Sequence, residues 1–168
     1  DGDWLMHRRT YNAWSFSPLK QINAGNVASL QLRWVWGMDE GGRQQFNPLV
    51  HDGVMFLSNN LTNTVQAVEA KSGNLIWENR IGPVRDNVEN ATRTMAFYGD
   101  MLFYAATDTT LYALDARSGK VLWKTLVSSV KNDKIGGMTV IHGKLVIGIT
   151  RCDDRSVEDH CSIQAFDT

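Results

Sequence analysis

The sequence predicts an all-β fold built from repeated four-stranded antiparallel units. Two stretches, AVEAKSGNLIW at 67–77 and ALDARSGKVLW at 113–123, carry Ala, Gly and Trp in the same register. Gly73 and Gly119 are 46 positions apart, and so are Trp77 and Trp123. Short strand-like segments separated by glycine turns precede each copy. No segment has a sustained helical apolar period, so we expect few helices.

Each unit divides into short strands joined by tight turns. The first unit reads NPLVH, VMFLS, TVQAVEA and NLIWENR, and the second reads RTMAFY, MLFYAA, LYALDA and KVLWKTLV. A third unit contains GMTVI, KLVIGIT and CSIQAFD, and there the sequence stops inside the motif. A repeat of this length with four strands is typical of a β-propeller blade. A β-sandwich with accidental internal similarity is the alternative interpretation.

The repeated motif has a local physical explanation. Asp115, or Glu69 in the first copy, precedes a turn whose N–H groups a carboxylate can accept, and the following Gly supplies a positive φ. The Trp four residues later is predicted to pack between neighbouring blades and to find a partner for its indole N–H. Trp34, in NVASLQLRW, suggests a further copy, as the last strand of a blade whose other strands lie elsewhere.

Composition argues against several classes of partner. The chain has 17 basic and 18 acidic side chains, which gives no reason to expect nucleic acid or an anionic membrane surface. It has no apolar run long enough for a membrane-spanning helix. Phosphate loops and nucleophile elbows are absent from the sequence. The histidines do not pair at metal-ligand spacing, and His51 and His142 are predicted to be surface residues in turns.

The N-terminal third resembles the start of the pyrroloquinoline quinone (PQQ)-dependent alcohol dehydrogenases. Members of that family typically open with D-W, continue with FSPL, QIN and NV elements, and then carry PLV and DGVMF. The matching positions here are Asp3-Trp4, Phe16-Ser17-Pro18-Leu19, Gln21-Ile22-Asn23, Asn26-Val27, Leu30, Trp34, Pro48-Leu49-Val50 and Asp52-Gly53-Val54-Met55-Phe56. The blade motif also resembles that family's tryptophan-docking repeat, so the resemblance covers the whole chain.

The resemblance implies an eight-bladed propeller that holds PQQ on its axis beside Ca²⁺ or a lanthanide ion. Such enzymes are periplasmic, oxidise alcohols and pass electrons to a cytochrome c. We expect an N-terminal segment and closing strand over 1–36, blades over 44–80 and 92–127, and an incomplete blade over 136–168. Because the family fold needs several hundred residues, we expect a fragment that is inactive alone. Its partners would be the remaining blades, and its catalytic residues would lie beyond Thr168.

Three residues are predicted to contact the cofactor by this resemblance. Arg93 precedes a strand whose counterpart in the family follows a quinone-binding Arg, and a cation there can stabilise charge on the quinone oxygens. Thr150 fills a Ser/Thr position that contacts PQQ. Gln45 stands where many members carry a cofactor-contacting Glu, and its amide keeps hydrogen bonding without the charge. A solvent-facing Arg and an ordinary loop Gln are the alternatives.

The acidic stretch after Thr150 is a candidate for part of the metal site. Asp153 falls at the position of a metal-ligating Glu of the family, and Glu158 or Asp154 can reach instead. One carboxylate supplies only part of a Ca²⁺ site, and a solvated acidic loop is an equal alternative. A vicinal cysteine pair that packs against PQQ in many relatives would fall at Asn87-Val88, and it is missing.

Cys152 and Cys161 flank this polar loop, between strands expected to run in opposite directions. Their Cα atoms can therefore approach within disulfide range, and a periplasmic location would allow oxidation. Two free thiols are the alternative. For the protein as a whole, the alternative function is a non-catalytic propeller scaffold that binds partner proteins in the bacterial envelope, which the missing cysteine pair and Gln45 favour.

Overall fold

The computed structural model describes residues 2–38, 46–84, 95–129, 133–150 and 162–168. Within these ranges the chain forms eleven strands in three antiparallel sheets, and the single helical element is a 3₁₀ turn, Val27–Ser29. The predicted all-β fold with few helices is confirmed.

The sheets follow one another along the chain. The first has the order β1-β2-β3-β4, with β1 Leu49–His51, β2 Val54–Asn59, β3 Thr64–Glu69 and β4 Leu75–Arg80. The second repeats this order with β5 Ala96–Tyr98, β6 Met101–Ala105, β7 Thr110–Asp115 and β8 Val121–Leu126. The third has three strands, β9 Lys134–Ile141, β10 Lys144–Thr150 and β11 Ile163–Asp167, with β10 in the middle.

The first two sheets agree in detail at the repeated motif. In both, the pairing register shifts at the same point, between Ala67 and Val68 and between Ala113 and Leu114. In both, the motif glycine has a positive φ, 76° at Gly73 and 71° at Gly119. Asp115 Oδ1 accepts the Ser118 N–H at 2.7 Å, as the motif predicts.

Tryptophan side chains dock on the motif turns of the first two sheets. Trp77 Nε1 of β4 donates to the carbonyl oxygen of Ala116, in the motif turn of the second sheet, at 2.9 Å. Trp34 Nε1 donates to the carbonyl oxygen of Ala70, in the motif turn of the first sheet, at 3.1 Å. The predicted partner for the indole N–H is confirmed for Trp77 and Trp34.

The core lies between the faces of the sheets. Along β6, Leu102 and Tyr104 belong to the cluster shared with the first sheet, whereas Phe103 and Ala105 belong to the cluster shared with the third. Successive strand residues point to opposite faces, so β6 is buried on both sides and reads as a continuous apolar run. This stacking of sheets by their faces is the arrangement of propeller blades.

The N-terminal segment lies against the blades without forming one. Trp4 bridges Val50 of β1, with N–H···O distances of 2.7 and 3.0 Å. Trp34 belongs to no strand among the described residues, in contrast to the expected closing strand, although its indole is docked. The segment exposes large apolar side chains: Tyr11, Trp14, Phe16, Leu19, Ile22, Val27, Leu30, Leu32 and Val35. In the described part of the chain, no helix has the length and apolarity needed to span a membrane.

Candidate cofactor site

The strands of each blade end on two opposite sides, and we name these two sides by the connections they carry, the turn edge and the loop edge. The turn edge carries the β1–β2, β5–β6 and β9–β10 hairpin turns. The loop edge carries the starts of β1, β5 and β9, the loops that follow β2 and β6, and the end of β10. Thr150, the last residue of β10, pairs with Lys134, the first residue of β9, so it lies at the loop edge.

Thr150 is the one predicted site residue within the described ranges. The predicted cofactor contacts Arg93 and Gln45 lie outside them, as do the predicted metal ligands Asp153 and Glu158. Cys152 and Cys161 also lie outside them. These assignments stay predictions.

The sequence did not predict the buried amide node, a network of hydrogen bonds at the loop edge around the side chain of Asn63. The side chain of Asn63, in the loop after β2, is fully buried. Its Nδ2 donates to the Pro83 carbonyl at 2.6 Å and to Thr107 Oγ1 at 2.8 Å. Its Oδ1 accepts the Tyr104 hydroxyl and the Thr107 N–H, both at 3.0 Å. All four hydrogen-bonding positions of the amide are therefore used, and they join the first two blades.

Other polar side chains in and beside the loop after β2 also have hydrogen-bond partners. Asn59 Oδ1 accepts the Leu61 N–H at 2.9 Å, and the Thr62 and Thr64 hydroxyls are 2.8 Å apart. Asn59, Thr62 and Thr64 are buried although they lie in a connection or directly beside it. Buried groups with complete hydrogen bonding have one favoured arrangement, so the loop edge is a firm platform for ligand-binding residues.

Two ionisable side chains of the second blade, Tyr112 and Asp115, have shifted pKa values. Burial raises the pKa of Tyr112, and the nearby Asp108 carboxylate raises it further. Tyr112 therefore stays a neutral phenol at physiological pH. At the opposite edge, hydrogen bonds from Ser118 lower the pKa of Asp115, so this carboxylate stays ionised.

A second polar cluster, at the turn edge, corrects the prediction for His51. Its side chain is half-buried, and its Nδ1 is 3.0 Å from Asp3 Oδ2. Its ring packs on Phe97 of the second blade with centroids 4.8 Å apart. His142, in the corresponding turn of the third sheet, is exposed as predicted. The surface prediction failed at His51 because the N-terminal segment covers that turn, and no local pattern in the sequence signals such a contact.

The family of the chain follows from comparison with known proteins. A family model described as "PQQ: Glucose/ethanol/alcohol dehydrogenase, beta-propeller domain" matches residues 4–168. The chain belongs to this family. The match covers the docking motifs, the N-terminal segment and all three sheets, so the predicted resemblance and the predicted propeller fragment are confirmed.

Curated relatives and solved structures agree with the family. "Quinohemoprotein alcohol dehydrogenase ADH IIB" of Pseudomonas putida is 38% identical over 117 residues, which are 66% of this chain and 16% of the relative. "Alcohol dehydrogenase (quinone), dehydrogenase subunit" of Komagataeibacter europaeus is 36% identical over 115 residues, 66% of this chain and 15% of the relative. A structure of a "Europium-containing methanol dehydrogenase" superposes with a TM-score of 0.85 at 27% identity, over 99% of this chain and 30% of that one. The chain thus spans about one sixth of the length of these two curated relatives.

Proposed function

We propose that this chain is part of a PQQ-dependent alcohol dehydrogenase that oxidises alcohols to aldehydes or ketones. In this proposal the enzyme is periplasmic and passes its electrons to a cytochrome c. The observation that carries the proposal is the family match over residues 4–168, together with the superposition of nearly the whole chain on a methanol dehydrogenase.

The residues assigned to PQQ have donor groups that suit it. Arg93, Thr150 and Gln45 supply a guanidinium, a hydroxyl and an amide, which can donate hydrogen bonds to the oxygens of an ortho-quinone. PQQ, when bound, accepts the electrons released by alcohol oxidation. Arg93 and Gln45 precede β5 and β1 in the sequence, and Thr150 ends β10. In this proposal all three residues lie at the loop edge.

These residues have binding and orienting roles in the proposal. The Arg93 guanidinium carries a fixed positive charge that favours negative charge on the quinone oxygens. None of the three is a proton-abstracting base at neutral pH, so that role belongs to another part of the full-length protein. For the ion, Ca²⁺ or a lanthanide, Asp153 and Glu158 offer carboxylate oxygens of the kind hard cations prefer.

The remaining blades of the full-length protein are the expected partners of the N-terminal segment. Trp14, Leu32 and Val35 are each at least three-quarters exposed, with fractions of 76%, 82% and 75%. Exposed apolar side chains grouped on one segment are typical of an interaction surface. Trp34 is docked on the first blade through its hydrogen bond to Ala70. In this proposal, a neighbouring blade of the full-length protein packs on residues 30–36.

The test is reconstitution of the full-length protein with PQQ and either Ca²⁺ or a lanthanide. Arg93→Ala should weaken PQQ binding or dye-linked alcohol oxidation about 100-fold, the usual effect of removing one charge-stabilising donor. His142→Ala changes an exposed turn at the opposite edge and should leave both unchanged. If the intact protein binds no PQQ with either metal, the dehydrogenase proposal fails and a scaffold function replaces it.

A further inference from the structure

The turn edge carries a cavity that the proposed dehydrogenase function does not use. The N-terminal segment crosses this edge, where the Tyr11 hydroxyl donates to the Val140 carbonyl near the end of β9. The cavity between this segment and the hairpin turns has a volume of about 700 Å³. Its lining includes Asp3, His51 and Asp100. It lies at the opposite end of the strands from Thr150.

Three metal-ligating side chains converge beside this cavity. His51 Nδ1 is 3.0 Å from Asp3 Oδ2, and His51 Nε2 is 3.8 Å from Asp52 Oδ2. One ligand atom from each of the three residues can be chosen so that all lie within 4.8 Å of one another. Imidazole nitrogens and carboxylate oxygens are both ligands that zinc and related divalent ions accept.

Two of the three ligands are held in place by contacts that do not involve the other members. The main-chain hydrogen bonds between Trp4 and Val50 fix the neighbouring Asp3 beside β1. The ring of His51 is held against Phe97. Asp52 is the adaptable member, because its side chain is 86% exposed and can turn toward the other two.

Charge at the cluster favours a cation. Two carboxylates with one imidazole are net negative whether or not the imidazole is protonated. Arg9 lies nearby, and its Nε donates to the main-chain oxygen of Asp3 at 3.1 Å. Asp3 Oδ1 accepts the Asp52 N–H at 3.2 Å, which is the kind of outer hydrogen bond that orients a ligating carboxylate.

We propose that Asp3, His51 and Asp52 bind one divalent transition-metal ion of the zinc class, which ties the N-terminal segment to the first blade. Water from the cavity completes the coordination shell. The imidazole distinguishes this site from the cofactor-side ion, because Ca²⁺ and lanthanides take oxygen ligands whereas zinc and cobalt accept nitrogen. Metal–ligand bonds of about 2.0–2.2 Å require that the ion replace the direct contact between His51 Nδ1 and Asp3 Oδ2 and that the exposed Asp52 side chain turn toward it.

The test uses the full-length protein, stripped with a chelator, reloaded with saturating Ca²⁺ and then titrated with Co²⁺ and Zn²⁺. The wild type should bind one equivalent of Co²⁺ with visible d–d absorption, and Zn²⁺ should displace it. His51→Ala should weaken Co²⁺ binding at least about tenfold, and Asp52→Asn should do the same. His142→Ala, in the corresponding exposed turn, should bind like the wild type.

A second readout keeps the result independent of any folding defect. Zn²⁺ should raise the Tm of the wild type and of His142→Ala, and it should leave the Tm of Asp52→Asn nearly unchanged, because an ion that binds only the folded state stabilises it. Asp52 is an exposed turn residue, so this variant tests the site even if His51→Ala does not fold. The proposal is overturned if Ca²⁺-saturated wild type binds no Co²⁺, or if His51→Ala or Asp52→Asn binds it with wild-type affinity.

Discussion

The indole of Trp77 lies directly on Gly119 of the next blade. A Cβ at Gly119 would stand 2.5 Å from Trp77 Cε3, which is closer than side chains pack. Trp34 and Gly73 have the same relationship, with the corresponding Cβ 2.7 Å from Trp34 Cδ2. The Gly and the Trp of the repeated motif therefore contact each other across neighbouring copies. The motif glycine of each of these two blades packs against the motif tryptophan that precedes that blade in the sequence.

This contact predicts a large cost for Gly119→Ala. The substitution incurs the penalty of a positive φ, about 1–2 kcal/mol, and adds an overpacking cost of about 1–3 kcal/mol against Trp77. Gly53→Ala is the matched control, because Gly53 has a similar φ of 75° but open space around its Cα. The free energy of unfolding, measured in urea on the full-length protein, should fall more for Gly119→Ala. Equal losses in the two variants would contradict the docking contact.

Asn63→Asp should destabilise the protein in a pH-dependent way. The isosteric change replaces the donor to the Pro83 carbonyl with a carboxyl oxygen in a fully buried position. We expect a loss of about 3 kcal/mol at neutral pH, because a buried charge would face an acceptor. Burial raises the folded-state pKa of the introduced carboxyl, so its penalty is small below the ordinary Asp pKa and grows as the pH rises above it.

Thermal unfolding from about pH 4 to pH 8 measures this dependence, and the wild type provides the baseline. Asn74→Asp is the control, since Asn74 is exposed in the motif turn of the same blade. Its stability should follow the wild-type pH profile. If Asn63→Asp also followed that profile, the buried amide node would not exist as described.

The fold was predictable because its signals are local and repeated. The turn glycines, the acidic residue before them and the Trp after them each act within a few residues, and the same string occurs twice. Even the partner of the Trp77 N–H could be anticipated, since a buried indole needs an acceptor. Trp34 shows the limit, because a strand also needs a paired neighbour, and no described segment pairs with residues 30–38.

The polar clusters were not predictable because they form between distant segments. Asn63 sits in NNLTN, which reads as an exposed polar loop, yet Tyr104 and Thr107 of the next blade cover it. Asp3 and His51 are 48 positions apart and meet only because the N-terminal segment bridges β1 at Trp4. Neither contact leaves a periodic pattern in the sequence. The cofactor residues were assigned by family resemblance for the same reason.

Ser118→Ala should raise the pKa of Asp115. The Ser118 hydroxyl donates to Asp115 Oδ1 at 2.6 Å and is the largest cause of the lowered pKa, followed by the Ser118 N–H. Removing the hydroxyl leaves the N–H bond, so the pKa should return only part of the way toward its ordinary value. A folded-state pKa below the unfolded value stabilises the protein above the unfolded pKa, and this stabilisation disappears as the pH falls through the folded-state pKa.

Carboxyl-detected NMR titration of Asp115 in wild type and variant measures the change directly. Ser72→Ala, the corresponding change in the first motif turn, is the control and should leave Asp115 unaffected. An unchanged Asp115 titration in Ser118→Ala would show that the hydroxyl is not the main cause.

Cys152 and Cys161 are predicted to form a disulfide in the oxidised protein. Both lie outside the described residues, but the strands on either side are antiparallel neighbours: Gly148 pairs with Ile163, and the Ile149 N–H donates to the Ser162 carbonyl at 2.8 Å. The chain therefore leaves and re-enters the sheet at adjacent points, since β10 ends at Thr150, two residues before Cys152, and Ser162 is one residue after Cys161. Closing a loop of this size should stabilise the fold by about 2–3 kcal/mol in the loop-entropy treatment.

Thiol titration of the denatured, unreduced protein should find no free cysteine from this pair, and dithiothreitol should lower the free energy of unfolding by that amount. The double variant Cys152→Ser/Cys161→Ser should be insensitive to dithiothreitol, whereas two titratable thiols in the unreduced wild type would refute the bond.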